Sequence, residues 1–237
     1  MNWRGTSCRI FNVGKYRRQA QADFMQSHAP IEDDTLLAQS DPKSSTNNGS
    51  CDANFFDFKN SHAAAIRQAA ADAAMKDMLC WLDAEHETQA DEITLSGLQS
   101  NFLNKKRIRG DRIAIFDATN SSVERRNWVL EECTSPAKRH GKATGVIFVE
   151  SICDDQELLD ENFRFKVQNS PDYEGIALKD AIADLRSRVK KYEEMYETID
   201  DDKQSYIKIF NLSSKLLVNH IYGRIAKIIV PSLVSQI

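Results

Sequence analysis

Asp117, Thr119, Arg125 and Arg126 lie close together in the segment RIAIFDATNSSVERRNWVLEE (112–132). An acid, a hydroxyl and two guanidinium groups converging on one crevice point to phosphoryl transfer, in which charge and position do most of the work. The apolar run Ile113, Ala114, Ile115, Phe116 ahead of the acid reads as a buried parallel strand. Open α/β sheets bind ligands just past the carboxyl ends of such strands, which is where Asp117 and Thr119 fall. Ser121 and Glu124 give the S-x-x-E capping pattern, so a helix starts at about Ser122. Its first turns hold both arginines close to the strand end, where they could clamp a phosphate.

The rest of the chain supplies elements to position these groups. CRIFNV (8–13) predicts a strand, followed by Gly14 and the basic run KYRR, which contains Arg17. Residues 28–52, rich in Ser, Asp, Asn and Pro, read as an insertion. From about His62 to Asp83 the period is helical, with Ile66, Ala70, Ala74, Met78 and Leu82 on one face and Trp81 beside them. Residues 84–111, polar and then basic, form a second insertion. The helix after Asp117 runs to about Lys138, and TGVIFVES (144–151) is another buried strand, ending at Cys153. A helix near 155–165 follows, and SPDY (170–173) breaks the chain. Leu178, Ile182, Leu185, Val189, Tyr192 and Tyr196 mark a long amphipathic helix on which Arg188 and Tyr192 form an i, i+4 pair. SYIKIFNL (205–212) is the last strand, and 214–229 is an apolar-striped helix. Strands alternating with helices predict an α/β fold with a doubly wound parallel sheet. Right-handed crossovers put the strand ends on one rim, with Arg17, Asp117, Thr119 and Cys153 at or just past them.

Composition narrows the class. The 237 residues are 41% hydrophobic and 28% charged, as in ordinary globular proteins. A formal net charge of −4 gives no overall attraction to nucleic acid or anionic membrane, and the basic run 105–112 lacks interleaved aromatics. Five scattered cysteines without C-x-x-C fit reduced thiols, and His62, His86, His140 and His220 show no metal-ligand spacing. No stretch approaches the roughly 18 apolar residues that span a bilayer, so a soluble, cytoplasmic protein is expected, with no membrane partner and with a homodimer admitted.

The segments RIFNVGKYRR, ANFF with the helix to Arg67, FDATNSSVERR, FVESICDD, ENFRF with SPDY, SRVKKYEEMY, and SYIKIFNL with LLVNHIYGRI resemble, in order, the kinase domain of the 6-phosphofructo-2-kinase/fructose-2,6-bisphosphatase family. The resemblance covers nearly all of the chain outside the two insertions. It implies a P-loop kinase fold over 1–237 that transfers the γ-phosphoryl of ATP, with Mg²⁺, to the 2-hydroxyl of fructose 6-phosphate. Carried over by position, fructose 6-phosphate is held by Arg17, Arg67, Thr119, Arg125, Arg188 and Tyr192. Asp117 matches the catalytic aspartate and Cys153 a second active-site residue. Asn162 falls in the ATP-contacting segment, where the family's lysine coincides with Val167 while this chain has Lys166 one position earlier.

Two departures matter. No G-x-x-x-x-G-K-[ST] occurs: Gly14-Lys15 is followed by Tyr16, and Gly141-Lys142 by Ala143. The phosphate-cradling loop and its strand precede the NWRG segment in the family, so the expectation is a domain without its first strand and P-loop. Arg139-His140-Gly141 has the letters of the bisphosphatase motif but lies inside the kinase resemblance, and reads as a helix-end loop. Three readings follow: the kinase, a sugar-phosphate-binding relative or truncated fragment without turnover, and a nucleotide or polynucleotide kinase relative sharing the strand–Asp–helix layout.

Overall fold

The computed structural model describes residues 2–3, 6–27, 53–84, 112–142 and 144–234. The expected insertions at 28–52 and, apart from Ala84, at 84–111 lie outside them. In chain order the elements are β1 (Asn2–Trp3), β2 (Thr6–Asn12), α1 (Val13–Ser27), a 3-10 turn (Ala53–Phe56) and α2 (Ser61–Asp83). Then come β3 (Arg112–Asp117), α3 (Val123–Thr134), α4 (Pro136–Arg139), β4 (Phe148–Ile152), α5 (Gln156–Asn169) and a 3-10 turn (Pro171–Tyr173). The last are α6 (Leu178–Glu193), β5 (Tyr206–Phe210), a 3-10 turn (Asn211–Ser213), β6 (Lys215–Asn219) and α7 (Gly223–Val234). The architecture is mixed α/β with parallel strand pairs. The described strands form two sheets, β1-β2-β3 and β4-β5-β6, each with one parallel and one antiparallel pair. The residues group into two units, Met1–Gln19 with Ala69–Ala118 and Ala20–Gln68 with Thr119–Ile237.

In the first unit β2 and β3 run parallel in register from Ser7↔Arg112 to Asn12↔Asp117. Phe11 is fully buried and meets Trp81 of α2 with ring centroids 6.0 Å apart. Ala70, Ala71, Ala74, Met75 and Met78 are buried along the same helix. Arg112 donates to the Trp81 carbonyl and stacks over its ring at 5.4 Å. A cation on a last-turn carbonyl also complements the helix dipole. The Tyr16 hydroxyl donates to Asp77 Oδ2 at 2.8 Å, tying α1 to α2.

In the second unit β4 and β5 are parallel and β5 and β6 antiparallel, the four-residue link 211–214 being too short for a crossover. Ile207, Tyr206, Phe148 and Ile199 are buried around this sheet. Helices α5 and α6 meet through Val167, Tyr173 and Ala181, with Ile182 and Leu185 packed against them. Burial pushes the Tyr173 phenol well up, with Asp184 and Asp172 acting in the same sense against Arg188.

Several expectations change. Strand β3 is not buried on both faces: Ile115 is 45% exposed and its cross-strand partner Ile10 55%. Alternate residues face opposite sides of a strand, and α2 packs against the side that Phe11 presents. Ser122, not Ser121, caps α3, accepting from the Arg125 N–H at 3.2 Å. That helix ends at Thr134, because Pro136 cannot continue it and opens α4 instead. Strand β4 starts at Phe148, four residues later than the apolar run suggests, and carries an exposed Val149. Helix α6 ends at Glu193, so Tyr196 lies beyond it. The apolar run after 214 is the strand β6, and helix resumes only at Gly223. Asn211 and Leu212 both take left-handed φ (46° and 65°), which folds β6 back onto β5 without glycine or proline. The helix-end loop at 139–141 is as expected: His140 (φ 50°) and Gly141 (φ 76°) are both left-handed after α4.

Cys8, Cys80, Cys133 and Cys153 are free thiols. Burial pushes the Cys133 thiol up to about 11, against the opposing charge of Arg139. At pH 8 iodoacetamide should therefore label the exposed Cys80 and leave Cys133 unmodified in the folded protein. Peptide mass spectrometry before and after urea checks this, and equal labelling of both would contradict the burial of Cys133.

Candidate functional site

The first unit contributes the ends of β2 and β3. Asn12 and Asp117 are the last pair of the parallel ladder, and Asn12 Nδ2 donates to Asp117 Oδ2 at 2.5 Å. Asn12 Oδ1 in turn accepts from the Lys15 N–H at 2.9 Å, which caps α1. Arg17 follows on α1 and is buried.

The second unit contains the remaining candidates. Thr119 is exposed between β3 and α3. Of the two arginines after it, only Arg125 is a candidate for a ligand. Its guanidinium lies 4.1 Å over Trp128 and donates to Gln68 Oε1 at 2.6 Å. Arg126 turns inward and is buried, donating to the carbonyls of Asn120, Ser121 and Glu197 at 3.3, 3.2 and 2.9 Å. The expectation that both arginines face a phosphate is corrected: three carbonyls hold Arg126 as a fastener between the start of α3 and the segment after α6. That segment is further fixed by the Glu197 N–H on the Ser121 carbonyl at 2.9 Å and the Val123 N–H on Glu197 Oε2 at 2.6 Å.

Arg67, one residue before the partner of Arg125, donates to the Phe55 carbonyl and, at 3.3 Å, to that of Asp57. Burial lowers its guanidinium, while Tyr192 and Asp57 oppose the shift. Phe55 and Phe56 stack edge to face at 5.3 Å, and Phe56 meets Tyr192 at 6.0 Å. Arg188 is packed between Phe56 at 4.6 Å and Tyr173 at 4.9 Å. Its Nε donates to Asp184 Oδ2 at 2.6 Å and its second nitrogen to Asp172 Oδ2 at 3.2 Å. Lys191 pairs with Asp57 at 2.5 Å. That hydrogen bond, with the Lys59 N–H, holds the Asp57 carboxyl below its ordinary value and raises Lys191. The turn Ala53–Phe56 thus gathers Arg67, Arg188 and Tyr192, with Arg125 joined through Gln68. Guanidinium groups and a phenol on an aromatic floor suit a phosphorylated polyhydroxy ligand.

The contacts do not draw Cys153, Asn162 or Lys166 into that cluster. Cys153 opens the β4–α5 turn with Sγ 3.7 Å from the Asp155 carbonyl. Asn211 Oδ1 clamps this turn through the N–H groups of Asp154 and Asp155 at 3.0 and 3.4 Å. Asn162 and Lys166 are exposed on α5, whereas Val167 is buried in the α5–α6 seam. One residue along a helix turns a side chain by about 100°, so Lys166 faces solvent as Val167 faces the seam. An open depression beyond α5, between Val167 and Leu178, has Glu174 as the one charged residue among its lining and presents no cation.

Sequence reasoning missed Asn12, Gln68, Asp57 and Glu150. Only Asn12 carried a local signal, since an Asn between a strand and a helix is a cap candidate. The other three are defined by partners far away in the chain.

Comparison with known proteins follows the same outline. The family model described as 6-phosphofructo-2-kinase matches residues 1–91 and 86–236. The chain is 32% identical over 228 residues to the 6-phosphofructo-2-kinase/fructose-2,6-bisphosphatase of Gallus gallus, covering 95% of this chain and 37% of that protein. It is 31% identical over 228 residues to 6-phosphofructo-2-kinase/fructose-2,6-bisphosphatase 1 of Homo sapiens, with 95% and 36% covered. A probable 6-phosphofructo-2-kinase of Schizosaccharomyces pombe is 30% identical over 230 residues, with 95% and 30% covered. The chain therefore spans between 30% and 37% of the length of these relatives.

Proposed function

As the chain belongs to the 6-phosphofructo-2-kinase family, we propose that it binds fructose 6-phosphate and transfers to its 2-hydroxyl the γ-phosphoryl group of Mg-ATP. The observation that carries this reading is the gathering of Arg67, Arg188 and Tyr192 around one aromatic turn, with Arg125 joined through Gln68. A phosphate dianion on a sugar needs several fixed cations, and planar guanidinium groups bind it with two parallel bonds. Arg17 and Thr119 are assigned to the same substrate. The 2-hydroxyl oxygen bonds to the γ-phosphorus as ADP leaves, and the hydroxyl proton passes to Asp117. By the resemblance alone, Cys153 is assigned to the active site, and Asn162 and Lys166 to the nucleotide. The reading includes a doubly wound P-loop kinase sheet, one kinase domain across 1–237 and a cytoplasmic setting. No described helix is long and apolar enough to cross a membrane.

A second reading is a sugar-phosphate-binding relative that does not turn over ATP. Val167, buried where the resemblance places a lysine, favours it. Calorimetric titration with fructose 6-phosphate and, separately, with Mg-ATP separates the two. Binding of both supports the kinase, binding of the sugar phosphate alone supports the binder, and binding of neither sinks both. In the same titration Arg125→Ala should weaken fructose 6-phosphate binding by about 1.5–3 kcal/mol, the range for hydrogen bonds to charged groups. An unchanged affinity would remove Arg125 from the site.

A further inference from the structure

We infer that Asn12 is the positioning residue of Asp117, a role that rests on the reading of Asp117 given above. The two are the last pair of the β2–β3 ladder, so their side chains leave the sheet on the same face. Asn12 also occupies the cap position of α1, and its two functions are linked. An asparagine amide has one accepting end and one donating end. Here the Lys15 N–H takes the accepting end, Oδ1, at 2.9 Å. Nδ2 is then the end aimed across the ladder, where it donates to Asp117 Oδ2 at 2.5 Å. The helix cap thus decides which end of the amide meets the acid.

Gly14 supports this arrangement. A Cβ at that position would lie 3.1 Å from Asn12 Oδ1, tighter than ordinary contact. The bare backbone of Gly14 leaves the capping oxygen its room. With Oδ2 of Asp117 held by a neutral donor, the carboxylate plane is fixed and Oδ1 is the oxygen assigned to the acceptor hydroxyl. A carboxylate on a freely turning side chain would spend most of its time elsewhere, and misplacement of a reacting group by an ångström is costly.

Three substitutions separate aiming from capping. Serine is as good a cap as asparagine, but its hydroxyl is too short to reach Asp117. Asn12→Ser should keep the wild-type melting midpoint and lower kcat at least about tenfold, the loss for one hydrogen bond to a charged group, with KM for fructose 6-phosphate within about twofold. Asn12→Ala should lose as much in kcat and also melt earlier. In Asp117→Ala the Asn12 side-chain amide resonances of the ¹⁵N-labelled chain should shift and exchange faster with water. Wild-type kcat in Asn12→Ser would overturn the assignment. Asn12 amide resonances unmoved by Asp117→Ala would also overturn it, whether or not the chain turns over. Absence of turnover in the wild type with the amide shift intact would overturn the kinase reading alone and would support the hold of Asn12 on Asp117.

Discussion

Arg188→Ala should destabilise the second unit by about 3 kcal/mol or more, the penalty for removing one partner of a buried ion pair. Arg188 is 6% exposed, and its guanidinium satisfies Asp172 and Asp184 at once while lying between the rings of Phe56 and Tyr173. Its loss leaves two carboxylates facing each other in a poorly hydrated place and removes the packing between α6, the Ala53–Phe56 turn and the Pro171–Tyr173 turn. On the proposed reading, fructose 6-phosphate binding should disappear with it. Arg188→Lys distinguishes site from scaffold. A lysine keeps the charge but cannot serve two acids through a planar fork, so it should recover part of the stability and little of the binding. Urea unfolding gives the first quantity and calorimetry the second. A midpoint for Arg188→Ala within about 0.5 kcal/mol of wild type, the range of an ordinary surface change, would show that the two acids are not held by it.

Acid should unfold the protein through Glu150, and Glu150→Gln should flatten that dependence. Glu150 is a buried carboxylate on β4, in a position that the alternating pattern reserves for apolar side chains. Lys208 of β5 pairs with it at 3.1 Å and also donates to Thr198 at 2.8 Å. The Tyr196 hydroxyl and the Ile199 N–H, the latter at 3.3 Å, donate to it as well. Burial alone would raise this carboxyl, but the hydrogen bonds from Tyr196, Lys208, Thr198 and Ile199 outweigh it and hold the group below the ordinary 4.5. A carboxyl lowered in the folded state contributes stability that is complete above the unfolded value and is lost as pH falls through the folded one. Urea midpoints should therefore be flat above about pH 5 and fall below 4.5 in the wild type. In Glu150→Gln that part of the fall should vanish, with a lower plateau because Lys208 has lost its counter-charge. Parallel wild-type and variant profiles would assign the acid sensitivity to other carboxylates. Glu150→Ala should cost about 3 kcal/mol, again because one buried charge is left unpaired.

The sequence made the local features legible. The run ending at Asp117, the cap at the start of α3, the helical period of α2 and the loop at 139–141 all rest on near neighbours, and each lies within a residue or two of its expected place. The cluster of Arg67, Arg188 and Tyr192 was legible by resemblance, while the turn that gathers them was visible only as the letters ANFF. What failed was non-local or ambiguous. Leu216, Leu217 and Val218 suit a helix or a strand equally well, and the left-handed pair Asn211–Leu212 decides for the strand without the usual turn residues. Arg126 and Arg125 are adjacent letters of the same type, and it takes the carbonyl of Glu197, 71 residues away, with those of Asn120 and Ser121, to show that one of them is structural. Glu150 reads as an exposed acid until Lys208 and Tyr196 are placed beside it.

The seating of Val167 bears on what a charge at that position would do. Replacing Val167 by lysine would drive an ammonium into the seam that Tyr173 and Ala181 close, and a buried unpaired cation costs several kcal/mol. The phase of α5 therefore works as a lock on this position: a cation is admitted at 167 only once the seam has been loosened at Ala181 or Ile182.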